Sequence, residues 1–193
     1  MNRNELLNNK EINNFYKNLY ELHNVFGQGL KEQFNRSLPF TDELFDRWER
    51  AKNLGFGEGS SIYDSSYVFG NVKVGTNTWI GPFTVIDGSG SLQIGDHCTI
   101  SAGVHIYTHD NILQTITGGK QPAERQKVSI GNCTYIGPKS IISKGITIGD
   151  HCIIGAASFV NKSLPSFSVA HGTPAKVAGT VVLEKDSFHI RYH

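Results

Sequence analysis

An apolar residue returns every six positions along most of this chain. It runs Ile62, Val68, Val74, Ile80 and Ile86, then Ile94, Ile100 and Ile106, and finally Ile130, Ile136, Ile142, Ile148, Ile154 and Val160. Glycine follows directly at Gly75, Gly81, Gly95, Gly131, Gly137, Gly149 and Gly155. A period of six suits neither an amphipathic helix nor a hairpin meander; it predicts a solenoid of short strands and tight turns. Each inward aliphatic stacks on its equivalent one coil away, so the repeats together bury a core that none could bury alone. The predicted class is mainly β.

Two interruptions break the period without losing its phase. Between Ile86 and Ile94 the step is eight, because Asp87-Gly88-Ser89-Gly90-Ser91 adds two residues at a turn. Between Ile106 and Ile130 it is twenty-four, one repeat plus eighteen extra residues. The coil resumes where it stopped, so residues 107–127 must loop out. This segment holds His109, Asp110, Gly118, Gly119, Lys120, Glu124 and Arg125. Long insertions in compact domains are usually functional or disordered, and loops on rigid scaffolds commonly carry chemistry.

Residues 1–58 lack the six-residue period and form a predicted helical cap. Over Glu5–Leu30, the positions of Leu6, Ile12, Phe15, Leu19, Leu22 and Phe26 predict one or two short amphipathic helices. Thr41 reads as an N-cap before Asp42 and Glu43, with Phe40 and Phe45 spaced for a hydrophobic staple. Leu44, Trp48 and Ala51 make one stripe that Gly55 would terminate. These helices are expected to cover an open end of the solenoid, whose strand edges otherwise invite aggregation. Residues 59–165 are then the solenoid, and 166–193 a turn and an extended tail carrying Val181, Val182, Phe188 and Ile190.

Composition narrows the function classes. A formal charge of +1 gives no reason to invoke nucleic acid or an anionic membrane. The polar, asparagine-rich start resembles no secretory signal, and no apolar run reaches membrane-spanning length. Cys98, Cys133 and Cys152 replace small residues of the repeats without a CxxC spacing, as expected for reduced, buried thiols of a cytoplasmic protein.

Three further stretches carry a resemblance. Gly103-Val104-His105-Ile106-Tyr107-Thr108-His109-Asp110, Gly155 to Lys162, and Gly172-Thr173-Pro174-Ala175-Lys176 are similar to segments of the hexapeptide-repeat acyltransferases. The likeness is nearest to the maltose, galactoside and polysaccharide O-acetyltransferases, and covers about residues 60–180. It implies a left-handed parallel β-helix, a homotrimer with acetyl-CoA bound between subunits, no metal, and a sugar acceptor. It also places the catalytic histidine at His109.

The residues themselves speak to that assignment. His105, between Val104 and Ile106, turns outward by strand alternation. His109 follows the last regular inward residue, where it either meets a cleft or is a solvated loop histidine. An imidazole suits a general base for a hydroxyl. Asp110 either orients that imidazole or points away, as adjacent residues often do. Asp87 falls near the carboxylate with which related enzymes hold the acceptor, yet aspartate at a Gly-Ser turn is also ordinary turn chemistry. Two lysines and a Gly-Pro turn at the end of the coil fit either phosphate binding or a solvated terminus. By resemblance, Ala156 lines the pantetheine, while Asn161, Lys162, Thr173 and Lys176 belong to the nucleotide side. Asn161 departs from the usual threonine, and Pro138 stands where some relatives have serine.

Direct transfer from acetyl-CoA to a sugar hydroxyl is the reading this supports. N-acylation of an amino sugar, free or nucleotide-linked, uses the same fold. A zinc carbonic anhydrase or a non-catalytic trimer fits less well, since His105 and His109 are four apart and no third histidine sits at a matching repeat position.

Overall fold

A computed structural model describes residues 9–193. It contains two compact units, one ending at Asp46 and one running from Arg47 to the end. The first unit holds α1 (Lys10–Phe34) and α2 (Phe40–Leu44). Asn9 caps α1 by accepting from the N–H groups of Glu11 at 2.9 Å and Ile12 at 3.3 Å. Asn35, in the left-handed region, closes its other end. One 25-residue helix thus replaces the expected one or two short ones, because no proline interrupts 10–34. The expected start at Glu5 and Leu6 lies outside the described residues.

The predicted Thr41 cap is not formed. Pro39 occupies the N-cap without a side-chain bond, its φ of −58° already suited to helix entry, and Phe45 is an extended C-cap residue. Phe40 and Phe45 are therefore not placed as a staple. A histidine–carboxylate contact between His23 and Glu43 at 2.5 Å, and the edge-on rings of His23 and Phe40, join α2 to α1. Because the chain is extended at Phe45, the stripe expected through Leu44, Trp48 and Ala51 is broken; of these only Ala51 is buried.

The second unit opens with α3 (Arg47–Asn53). Gly55, at φ 74°, ends it as predicted. The N–H of Phe56 reaches the Ala51 carbonyl and that of Gly55 the Lys52 carbonyl, which together form a Schellman motif. Ala51 and Phe56 both enter the core. The Arg50 guanidinium donates to the carbonyls of Tyr63 and Ser66, so α3 lies on the first coil.

Beyond it the chain winds as a parallel β-solenoid, the architecture expected of a left-handed β-helix. Strand pairing stacks three aliphatic columns. The first is Ile62, Ile80, Ile100, Ile136, Ile154 and Ala170. The second is Val68, Ile86, Ile106, Ile142 and Val160. The third is Val74, Ile94, Ile130, Ile148 and Leu164. All of these but Val68 are buried.

Polar side chains tie the corners from coil to coil. Thr78, Cys98, Thr134 and Cys152 form one such line. The Thr78 hydroxyl donates to the Gly95 carbonyl, the Cys98 thiol to Gly131, the Thr134 hydroxyl to Gly149 and the Cys152 thiol to Pro165. Two cysteines thus stand in for hydroxyl donors, and burial pushes both thiols up. Cys133 departs from the expectation of burial. It sits in the left-handed region at φ 54°, as do His97 and His151, with Asn77 at 51°, and is exposed.

Past the fifth coil, Ser168–Gly172 pairs parallel with Ile153–Ile154 and then antiparallel with Ala175–Leu183, which pairs with Phe188–Tyr192. The expected tail is thus a short meander continuing the first face. Truncating a stacked aliphatic should be costly: Ile142→Ala should destabilise the solenoid by about 2–5 kcal/mol. Urea unfolding followed by circular dichroism checks this.

Candidate active site

Both interruptions of the six-residue period converge at one corner. Strand Val85–Ile94 carries the two-residue insertion around the second corner, and Asp87, 1% exposed, points into it. One carboxylate oxygen accepts from the Ser89 N–H at 2.9 Å and the Ser89 hydroxyl at 2.6 Å. The other accepts from the Thr108 N–H at 2.7 Å, the Thr108 hydroxyl at 3.0 Å and His109 Nδ1 at 2.7 Å. Burial by itself raises the Asp87 carboxyl. The bonds from Ser89, His109 and Thr108 outweigh it and hold the group far below the usual carboxylate range.

The eighteen-residue insertion is an arm rather than an open loop. Thr108 and Gln126 close its root, where the Gln126 N–H donates to the Thr108 carbonyl and the Gly90 N–H to the Thr108 hydroxyl. His109–Asp110 then pairs antiparallel with Glu124–Arg125, His109 opposite Arg125 and Asp110 opposite Glu124. The one-turn helix α4 (Ile112–Ile116) lies between the two strands in sequence.

This geometry sets the tautomer of His109. Asp87 is a carboxylate, so Nδ1 carries the hydrogen it accepts, and in the neutral form of the ring Nε2 is the lone-pair acceptor. The ring borders a pocket of about 350 Å³ with Tyr107, Asp110, Asn111, Ile141, Ser143, Lys144 and Phe159. Such an arrangement can remove a proton from a group bound in that pocket.

The two aspartates make different contacts from those expected. Asp87, rather than Asp110, meets the imidazole. Its five protein donors leave no exposed oxygen for an acceptor. Asp110 borders the pocket, but its carboxylate accepts from Lys144 Nζ at 2.5 Å and the Ile112 N–H at 3.1 Å. His105 is half-buried, and its Nδ1 lies 3.1 Å from the Tyr107 hydroxyl. Tyr107, Ser143, Lys144 and Phe159 escaped the sequence reading. They sit on three separate coil segments, and only the 18-residue coil spacing, which pairs Ile141 with Phe159 directly and with His105 once the eighteen inserted residues are set aside, could have linked them.

At the end of the solenoid, Asn161, Lys162 and Lys176 meet in a second pocket of about 540 Å³, with Ser163, Leu164, Pro174, Ala175 and Val177. Thr173 and Ala156 lie outside that lining; Thr173 donates to the Ala157 carbonyl, and Ala156 is exposed beside Gly137. Among the described residues, no three His, Cys, Asp or Glu side chains are placed to hold a metal ion. No described helix is long and apolar enough to cross a membrane.

Comparison with known proteins agrees with this architecture. Residues 127–162 match the family described as bacterial transferase hexapeptide (six repeats), and residues 71–108 match the hexapeptide repeat of succinyl-transferase. Over 161 residues the chain is 31% identical to galactoside O-acetyltransferase of Escherichia coli K12, spanning 78% of this chain and 75% of that one. It is 33% identical over 108 residues to WcaF of the same organism, assigned as a colanic acid biosynthesis acetyltransferase, spanning 55% of this chain and 57% of that one. Among solved structures, a galactoside acetyltransferase in complex with coenzyme A superposes with a TM-score of 0.64 at 27% identity, over 84% of this chain and 82% of that one. AntD, an N-acyltransferase from Bacillus cereus, shares the fold at a TM-score of 0.58 and 21% identity, over 68% of this chain and 88% of that one. With its period, its stacked columns and its extended match to a galactoside enzyme, the chain belongs to the hexapeptide-repeat acetyltransferases.

Proposed function

We propose that this protein moves an acetyl group from acetyl-CoA to a hydroxyl of a sugar or surface-polysaccharide precursor, in the cytoplasm and as a homotrimer. The observation that carries the proposal is the His109 residue, fixed through Nδ1 by Asp87 and lining a pocket. The extended match to a galactoside O-acetyltransferase supports a sugar hydroxyl as acceptor. A hydroxyl needs a base more than an amine does, and the dyad supplies one.

In this reading Nε2 of His109 takes the hydroxyl proton as the acceptor oxygen attacks the thioester carbonyl. The tetrahedral intermediate collapses by breaking the C–S bond, and the imidazolium returns its proton to the leaving sulfur. Asp87 holds the ring in the productive tautomer and stabilises the imidazolium. Its role is to position the base rather than to bind the acceptor. Asp110 borders the acceptor pocket. At the other pocket, Lys162 and Lys176 supply two ammonium groups for the nucleotide phosphates, with Asn161 beside them, and Ala156 and Thr173 at the adjoining corner. The trimer would let a neighbouring subunit close both pockets by heterologous threefold packing.

His109→Ala should lower turnover by roughly a hundredfold to ten-thousandfold with acetyl-CoA affinity retained. Asp87→Asn should lower it in the same direction. Near-full activity of His109→Ala with a galactoside or maltose as acceptor would overturn the reading. The pH profile follows from the signs. A depressed carboxyl contributes stability that is present above its unfolded value, about 3.9, and is lost only as pH falls through the lower folded one. Asp87 therefore stays ionised across the working range, and no loss of rate within it should trace to the Asp87 carboxyl.

Lys162→Ala or Lys176→Ala should raise KM for acetyl-CoA with less effect on kcat, each lost contact costing about 1.5–3 kcal/mol of binding. Steady-state kinetics and calorimetry with coenzyme A check this. Light scattering at micromolar concentration should give three times the chain mass; a monomer would defeat the trimer.

A further inference from the structure

Lys144 is a cation that the proposed chemistry does not use. It follows Ser143, whose N–H is anchored on the Val160 carbonyl at 3.0 Å, and precedes Gly145 at φ 75°. Its side chain is only 15% exposed. The ammonium lies 2.5 Å from the Asp110 carboxylate and 2.6 Å from that of Glu124. Those two residues face each other across the paired strands of the arm. A single coil residue therefore grips both strands at once, one place beyond the His109–Arg125 pair.

The arm needs such a grip. A two-stranded pair is marginal in water by itself, and this one is only two residues long on each side. The Asp87 bond fixes the imidazole at Nδ1, but beyond Thr108 the backbone carrying His109 runs into this short strand pair. An isolated surface ion pair adds little; here one ammonium serves two carboxylates that are already opposed. Each contact favours the charged forms, holding Lys144 above the ordinary lysine value and Asp110 below the usual carboxylate one. The neighbouring Gly145 adds to the fit, since a Cβ built there would lie 2.3 Å from the side-chain oxygen of Gln126, the residue after the returning strand.

We propose that Lys144 is a positioning residue, a clip that holds both strands of the arm on the solenoid and so keeps His109 in register with its pocket. The catalytic part of this proposal rests on the acetyl-transfer reading; the structural part does not.

The test uses full-length Lys144→Met and Lys144→Arg. Without any ligand, amides of residues 107–127 should exchange hydrogen roughly tenfold faster in Lys144→Met, with the solenoid strands unchanged. With acetyl-CoA and a galactoside as probe, kcat should fall roughly ten- to a hundredfold, and KM for acetyl-CoA should stay within about twofold. Lys144→Arg should restore most of the rate, and Lys144→Met should add no further loss to His109→Ala. Unchanged arm exchange in Lys144→Met would overturn the clip. So would an equal rate loss in both variants accompanied by a lower thermal midpoint of the whole protein. Near-full activity of His109→Ala would overturn the acetyl-transfer reading instead, and the exchange measurement would still decide the clip.

Discussion

Vertical stacking of one aliphatic per six residues is the constraint on which the rest of the solenoid depends. Ile62, Ile80, Ile100, Ile136 and Ile154 follow one another down a single column, each fully buried. Because each coil repeats the backbone geometry of the one above, any extra residues must leave at a corner and return to the same register. The chain can therefore tolerate insertions only where they do not shift a column. Both that it carries lie between the second and third columns, at the corner after Ile86 and the corner after Ile106. Those two isoleucines are partners in adjacent coils. Coil stacking alone thus brings Asp87 to His109.

The buried carboxylate at that corner shows how a rigid scaffold prepares chemistry. Asp87 is almost inaccessible, and burial alone would favour its neutral form. Five donors from Ser89, Thr108 and His109 reverse that preference. A charge held this way cannot turn to follow a ligand. It lies beside the His109 ring and supports the positioning role proposed for Asp87. The arm that carries His109 has little intrinsic stability. Its order comes from the coil, through Asp87 on one strand and Lys144 across both.

The helical segments obey weaker rules. Between 10 and 34 many residues favour helix, so α1 runs unbroken where mixed spacing predicted shorter pieces. From Pro39 to Phe45 the helix is too short for its boundaries to be set by a long apolar stripe, and proline geometry displaced the predicted cap at Thr41. Gly55 behaved as read, because a left-handed residue after α3 is a local requirement that glycine meets without strain.

The sequence by itself determined the solenoid, its columns, the corners at which it is interrupted and the outward turn of His105. These depend on a strict period and on alternation, which are local and cumulative. It also pointed to His109 and to the lysines at the far end as the residues to watch. Only the tertiary structure decided which carboxylate meets the imidazole, because Asp87 and His109 are twenty-two positions apart and sequence alone left the adjacent Asp110 open between orienting the ring and pointing away. It alone folded the insertion into a paired arm and brought Lys144 to Asp110 and Glu124. It also exposed Cys133 while burying Cys98 and Cys152. Side-chain contacts across coils depend on which corner each residue occupies, and adjacency along the chain does not encode that.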